Sequence, residues 1–259
     1  MELKQVGLFL LDLDGTFYWG NRLIPGAKEF LEVCRKRKIP FAFLTNNSSR
    51  SAVDYIDKLH NLGIHIGTNE IFTSGDATIW WMQEHDYPRD ILLIGTGSLM
   101  TSFQKAGFVM DEKHPQAVVL GFDTDITYNK LRVLCDVVNL GIPYIATHPD
   151  YTCPVDGGSI PDVGSMIAYV KAATGRVPDK IIGKPNNVLA QMISSKLHID
   201  MKKFCMIGDR LYTDIAFGKD KFNTILVLSG ETKTKDLIGS SVQPDMVFQS
   251  IKEIVDHIR

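Results

Sequence analysis

Two aspartates, Asp12 and Asp14, stand directly behind the apolar run Val6 to Leu11 and are followed by Gly15 and Thr16. The unbroken hydrophobic stretch predicts a strand buried on both faces. Alternate side chains of a strand share a face, so a strand running through both acids would aim them the same way. At the carboxyl edge of an open parallel sheet, where ligands bind, converging carboxylates repel by several kcal/mol at an effective dielectric of about 20. A proton on one of them, a lysine or a divalent cation must offset that repulsion.

Three later apolar runs also end in polar groups. Phe41 to Leu44 precedes Thr45-Asn46-Asn47-Ser48, and Lys180 to Gly183 precedes Lys184-Pro185. Phe204 to Gly208 precedes Asp209, with Asp214 at the head of a predicted helix. In one parallel sheet these four ends would share an edge. Carboxylates with one lysine and one hydroxyl suit a phosphoryl group and a metal ion, and oxygen-only ligands favour magnesium over zinc or copper. A carboxylate can attack phosphorus to give an aspartyl phosphate. Lysine neutralises the equatorial oxygens, while the hydroxyl and backbone N–H groups at Thr45-Asn46 orient them.

The elements that must position these groups alternate short apolar strands with amphipathic helices, which implies an α/β fold of parallel strands with right-handed crossovers. Helices are expected over Ala27 to Lys38, from the Thr45–Ser48 end to Leu62, through Trp80-Trp81, over Leu99 to Ala106 and Lys130 to Leu140, from Asn186, and over Ile251 to Ile258. Strands are expected at Ile71 to Thr73, Ile91 to Ile94, Ala117 to Leu120, Tyr144 to Ala146 and Thr224 to Leu228. Phe17 to Pro25 and His148 to Gly164 read as loops, the second leading into a helix that ends near Thr174-Gly175. Residues 81–178 repeat the grammar with their own elements and read as a smaller α/β domain inserted into a core of residues 1–80 and 179–259.

Composition narrows the function. At 259 residues the chain can bury a large core. Its net charge of −2, with both signs interspersed, suits neither a nucleic-acid polymer nor a membrane surface. The basic cluster Arg35-Lys36-Arg37-Lys38 closes a predicted helix and complements its dipole. Cys34, Cys135, Cys153 and Cys205 are scattered, as expected for reduced thiols in the cytoplasm. There is no signal-like N-terminal pattern and no apolar run of membrane length. Gly95-Thr96-Gly97 lacks the third glycine of a dinucleotide loop, and Gly183-Lys184 precedes proline, so no Walker loop is present.

Asp12-x-Asp14-Gly15-Thr16, Thr45-Asn46-Asn47, Gly183-Lys184-Pro185 and Gly208-Asp209-x-x-x-x-Asp214, in that order, resemble the four motifs of haloacid dehalogenase-like (HAD) phosphatases. Phe17-Tyr18-Trp19-Gly20, Ile24-Pro25-Gly26-Ala27 and the doubled asparagine resemble the para-nitrophenyl phosphatase, or NagD-like, branch. The resemblance implies a Rossmann-like core with an α/β cap inserted between the second and third motifs. It also implies roles: Asp12 as nucleophile, and Asp14 as the acid for the leaving oxygen and the base for the hydrolytic water. Magnesium would be held by Asp12, the Asp14 main-chain carbonyl, Asp209 and Asp214, the last through water. Thr45, Asn46 and Lys184 would bind the phosphoryl group.

The expected activity is hydrolysis of a small phosphorylated metabolite. Phosphoryl transfer to another acceptor and an idle metabolite-binding regulator are the alternatives. Sugar phosphates, nucleoside monophosphates, phosphoglycolate and pyridoxal phosphate all fit. In the cap, Thr147-His148-Pro149-Asp150 and Pro161-Asp162-Val163-Gly164 stand where the branch reads Thr-Asn-Pro-Asp and Pro-Gly-x-Gly. His148 and Asp162 are therefore candidate specificity positions, and Cys153 a candidate reactive thiol.

Overall fold

The computed structural model describes residues 3–155 and 157–259. The chain divides into two compact units, one of Met1–Thr45, Ile56–Phe72 and Ile193–Arg259, the other of Asn46–Tyr55 and Thr73–Met192. The second unit takes in all of 81–178 and adds the flanking stretches 46–55, 73–80 and 179–192.

The first unit is built on a six-stranded sheet in the order Met246–Phe248, Asn223–Val227, Phe204–Gly208, Leu8–Asp12, Phe41–Thr45, Ile71–Thr73. Leu8–Asp12 lies near its middle, parallel to Phe204–Gly208 on one side and to Phe41–Thr45 on the other. Leu8, Phe9, Leu10 and Leu11 are wholly buried, as a strand covered on both faces requires. Helix Ala27–Arg37 buries Ala27, Phe30, Leu31 and Cys34, a stripe at helical spacing. It packs against the C-terminal helix Ile251–Ile258, which buries Ile251, Ile254, Val255 and Ile258. Side chains of this size contribute about 1.5–3 kcal/mol each when fully buried. The Arg37 guanidinium closes the contact by donating to the Ile258 carbonyl at 2.7 Å.

The second unit carries a five-stranded parallel sheet in the order Lys180–Ile181, Tyr144–Ala146, Ala117–Leu120, Asp90–Ile94, Val109–Met110. Four of its helices begin at side-chain caps. Thr73, Thr96, Thr127 and Asp162 accept from the backbone N–H groups of Asp76, Leu99, Lys130 and Val163. Val118, Leu120, Leu134, Val138, Tyr144 and Val170 form the centre of its core.

Several expectations are corrected. Lys180–Ile181 is an edge strand of the second sheet, paired with Tyr144–Ala146, so Lys184 does not follow a strand of the six-stranded sheet. The stretch is apolar at Ile181-Ile182 in either setting, and sequence periodicity does not say which sheet a strand joins. Two loops contain strands. Tyr18–Trp19 pairs with Arg22–Leu23, and Thr152–Val155 forms an antiparallel hairpin with Gly158–Pro161. Pro154, Gly157, Gly158 and Pro161 gave that hairpin the composition of a loop. The segment after Asp209 is a π-helical turn, Leu211–Ile215, followed by a single helical turn, Ala216–Gly218. The helix expected from Asn186 begins at Val188. Among the described residues no helix is long and apolar enough to cross a membrane.

Candidate active site

Strand register assembles the acids of the first unit. Asp12 is the last residue of Leu8–Asp12, and Leu11 lies opposite Ile207, so the two chains leave the sheet side by side at Asp12 and Gly208-Asp209. On the other flank Asp12 lies opposite Leu44, which sets buried Thr45 one step beyond, at the same edge. Asp14 follows by two residues, half-buried, where the backbone bridges to Tyr18. The π-helical turn then brings Asp214 back, its Oδ2 accepting from the Arg210 N–H at 3.1 Å. One oxygen each from Asp12, Asp209 and Asp214 lies within 4.8 Å of the others.

Asp209 is tightly held. It is 1 % exposed, its Oδ2 accepts the Glu231 N–H at 2.7 Å, and its Oδ1 has no hydrogen-bond partner among the described residues. Gly230 is required beside it: a Cβ there would lie 1.9 Å from Oδ2. Gly15 turns with φ +84°, and a Cβ on it would meet the same oxygen at 2.5 Å. Burial, then the neighbouring Asp214 carboxylate, pushes Asp209 up to about 7, against the pull of the Glu231 N–H and the Arg210 guanidinium. A buried carboxylate oxygen without a donor, beside two more carboxylates, is the environment a hard divalent cation satisfies.

That environment predicts a pH effect. Between about pH 4 and 7 the folded chain keeps a proton on Asp209 that the unfolded chain has lost, so ionisation works against folding as pH rises. Without metal, the parent should lose stability relative to Asp209→Asn across this interval. Added magnesium should protect the parent increasingly over the same range. Thermal melts of both proteins with and without the ion measure this.

The second unit holds the remaining predicted residues. Asn46 spans the backbone of Lys184 as a peptide would: its Oδ1 accepts the Lys184 N–H at 2.8 Å and its Nδ2 donates to the Lys184 carbonyl at 2.9 Å. The same Nδ2 donates to Asp150 Oδ1 at 3.1 Å, and Ser74 Oγ donates to the Asn46 carbonyl. The Asn46 side chain thus fixes the turn that presents Lys184, which is 2 % exposed and precedes a cis proline. Asp150 ends the stretch Thr147-His148-Pro149-Asp150, where it matches the branch pattern, whereas Ser74 carried no motif signal.

His148 and Asp162 meet one another. His148 Nε2 lies 2.9 Å from Asp162 Oδ1, both side chains are buried, and Asp162 also caps helix Val163–Thr174. The two departures from the branch pattern form one buried pair. Removing one partner of a buried hydrogen-bonded pair leaves the other polar group short of a partner and costs about 1–3 kcal/mol. His148→Asn should destabilise the protein by that order, and Asp162→Asn in the same background should recover part of the loss. Urea unfolding of the two single variants and the double variant measures the coupling.

The four cysteines are free. Burial pushes the Cys34 thiol up to about 12 and raises Cys205 as well, so neither is a thiolate nucleophile at neutral pH. Cys153 Sγ lies 3.5 Å from Asn47 Nδ2.

The sheet thus gathers Asp12, Asp209 and Asp214 at one edge, and comparison with known proteins gives the family. Residues 9–109 match the family model for haloacid dehalogenase-like hydrolases and residues 181–254 the HAD-hydrolase-like model. The acid sugar phosphatase of Staphylococcus aureus is 32% identical over 255 residues, 98% of each chain. The crystal structure of 4-nitrophenylphosphatase from Thermotoga maritima superposes with a TM-score of 0.97 at 43% identity, covering 100% of both chains. Glycerol phosphate phosphatase from Mycobacterium tuberculosis, solved in complex with calcium, gives a TM-score of 0.88 at 26% identity, over 96% of this chain and 75% of that one. The chain belongs to the haloacid dehalogenase-like hydrolases. Within them it falls in the 4-nitrophenylphosphatase, or NagD-like, branch, and it is a phosphatase.

Proposed function

We propose that the chain is a magnesium-dependent phosphomonoesterase that hydrolyses a small phosphorylated metabolite, a sugar phosphate foremost, through an aspartyl phosphate on Asp12. The observation that carries this reading is the meeting of Asp12, Asp209 and Asp214 within 4.8 Å, with Asp209 Oδ1 buried and unsatisfied. The names of the acid sugar phosphatase and of the calcium-bound glycerol phosphate phosphatase support the substrate class and a divalent ion. The four free cysteines are in keeping with a cytoplasmic setting.

In this reading an Asp12 oxygen attacks phosphorus while the bond to the leaving oxygen breaks, and Asp14 gives that oxygen its proton. Water then attacks the phosphoryl group, Asp14 takes the proton released, and the bond to Asp12 breaks to free phosphate. Thr45, the backbone at Asn46, and Lys184 bind the equatorial oxygens and neutralise their charge. Asp12, the Asp14 carbonyl and Asp209 would hold magnesium directly and Asp214 through water. The bound ion would offset repulsion between the carboxylates and the incoming phosphate.

The test is phosphate release from a panel of phosphorylated metabolites, with and without magnesium. A second arm traps the acyl phosphate with hydroxylamine. Magnesium-dependent release with trapping at Asp12 is expected. Release that survives chelation, or label on any other residue, overturns the mechanism.

A further inference from the structure

The loop Ser229–Thr232, which follows strand Asn223–Val227, forms no motif of the family pattern described above, yet it is tied to Asp209 more closely than any other segment described here. The Glu231 N–H donates to Asp209 Oδ2 at 2.7 Å and the Thr232 N–H to the Asp209 carbonyl at 3.2 Å. The loop is anchored at its start, where Ser229 Oγ donates to the Gly15 carbonyl at 2.8 Å and the Trp19 indole donates to the Ser229 carbonyl at 3.1 Å. Lys233 Nζ donates to the Gly230 carbonyl at 2.6 Å. Its middle is held by the Glu231 side chain. Arg210 Nε contacts Oε2 at 2.9 Å and the Tyr212 hydroxyl donates to Oε1 at 3.0 Å.

These contacts close a ring. Asp209 leads along the chain to Arg210, across the ion pair to the Glu231 carboxylate, and back through the Glu231 N–H to Asp209 Oδ2. The ring decides which carboxylate oxygen is used inside the protein and which is left over. Oδ2 is occupied, while Oδ1 is buried without a donor. The carboxylate of Glu231 is itself about half exposed, so its bonds to Arg210 and Tyr212 contribute little to global stability.

We propose that Glu231 is a positioning residue for the metal: held by Arg210 and Tyr212, it keeps its N–H on Asp209 Oδ2 and so presents Oδ1 to the cation. The inference rests on the reading of Asp12, Asp209 and Asp214 as the metal site. Groups that orient a metal ligand typically change affinity by about 10–100-fold when removed. Without the Glu231 side chain the loop loses the tie at its centre, and only its flanking anchors hold the Glu231 N–H on Asp209 Oδ2. A weaker tie should remain in Glu231→Gln, whose amide can still accept from Tyr212.

The experiment is a direct binding titration of the whole protein, with manganese followed by the loss of its free-ion resonance and magnesium added as competitor. Glu231→Ala should raise the dissociation constant about 10–100-fold, Glu231→Gln by less, and Tyr212→Phe by less again. The metal-free melting temperature should move by no more than about 2 °C. At saturating metal KM for substrate should stay at the parent value. An unchanged dissociation constant in Glu231→Ala overturns the proposal, as does a large fall in its metal-free melting temperature, which marks a structural role. Asp209→Asn is the control for the underlying reading. If it binds the ion as the parent does, or if the parent binds none, the cluster is not the metal site and the proposal falls with it.

Discussion

Asp12→Asn should reduce turnover of any phosphomonoester by roughly a millionfold, the scale of loss seen when a covalent nucleophile is removed. An amide nitrogen or oxygen cannot take the place of the carboxylate that attacks phosphorus. The same change removes one of three carboxyl groups held within 4.8 Å and the repulsion it adds when ionised, so the metal-free protein should be at least as stable as the parent. That pairing of outcomes is specific: activity lost, fold kept or strengthened. Phosphate release at saturating magnesium, with urea unfolding in its absence, measures both. An Asp12→Asn protein within tenfold of the parent would show that another group attacks phosphorus.

Asp14→Asn should cost about 10²–10⁴-fold, the usual contribution of a positioned proton-transfer group. The loss should depend on the leaving group. An alkyl phosphate departs as a strongly basic oxygen and needs the proton in the transition state, whereas nitrophenolate leaves nearly unaided. Single-turnover measurements isolate formation of the acyl phosphate, the step in which the difference is expressed. A large deficit on the alkyl ester with a small one on the nitrophenyl ester is expected. Equal deficits on the two would leave Asp14 with a role in binding or hydrolysis of the intermediate, but not as leaving-group acid.

The first unit was legible wherever a strand and its polar end form one continuous word. Val6 to Leu11 ending in Asp12, and Phe204 to Gly208 ending in Asp209, needed only the rule that apolar runs are buried strands and that ligands sit at their carboxyl ends. Parallel register then placed the acids side by side. What sequence periodicity could not supply is partnership between strands. Lys180–Ile181 has the same apolar signature whether it joins six strands or five, and its pairing with Tyr144–Ala146 is decided by tertiary contacts. The hairpin Thr152–Val155 with Gly158–Pro161 was hidden because its strands are short and largely exposed, so no alternation of polarity marked them. His148 and Asp162 were read as two separate candidate specificity positions, since a contact across fourteen residues of chain has no local trace. Glu231 was missed because what it contributes to Asp209 is a backbone N–H, which every residue but proline has.

The pairing of Leu8 with Phe204 has a consequence for how the chain is made. The strand Leu8–Asp12 is synthesised well before Phe204–Gly208, and it gains Phe41–Thr45 as a neighbour soon after it is made. Its other edge waits for a partner nearly two hundred residues downstream, about 10–40 s at ordinary rates of synthesis. During that interval an apolar strand presents an open row of amide and carbonyl groups, the arrangement that recruits strands from other chains. Most of the second unit, Thr73–Met192, is a continuous stretch and is complete before Phe204 appears. Nascent chains stalled short of Phe204 should therefore bind general chaperones through the Leu8–Asp12 segment, and chains stalled beyond Phe248 should release them.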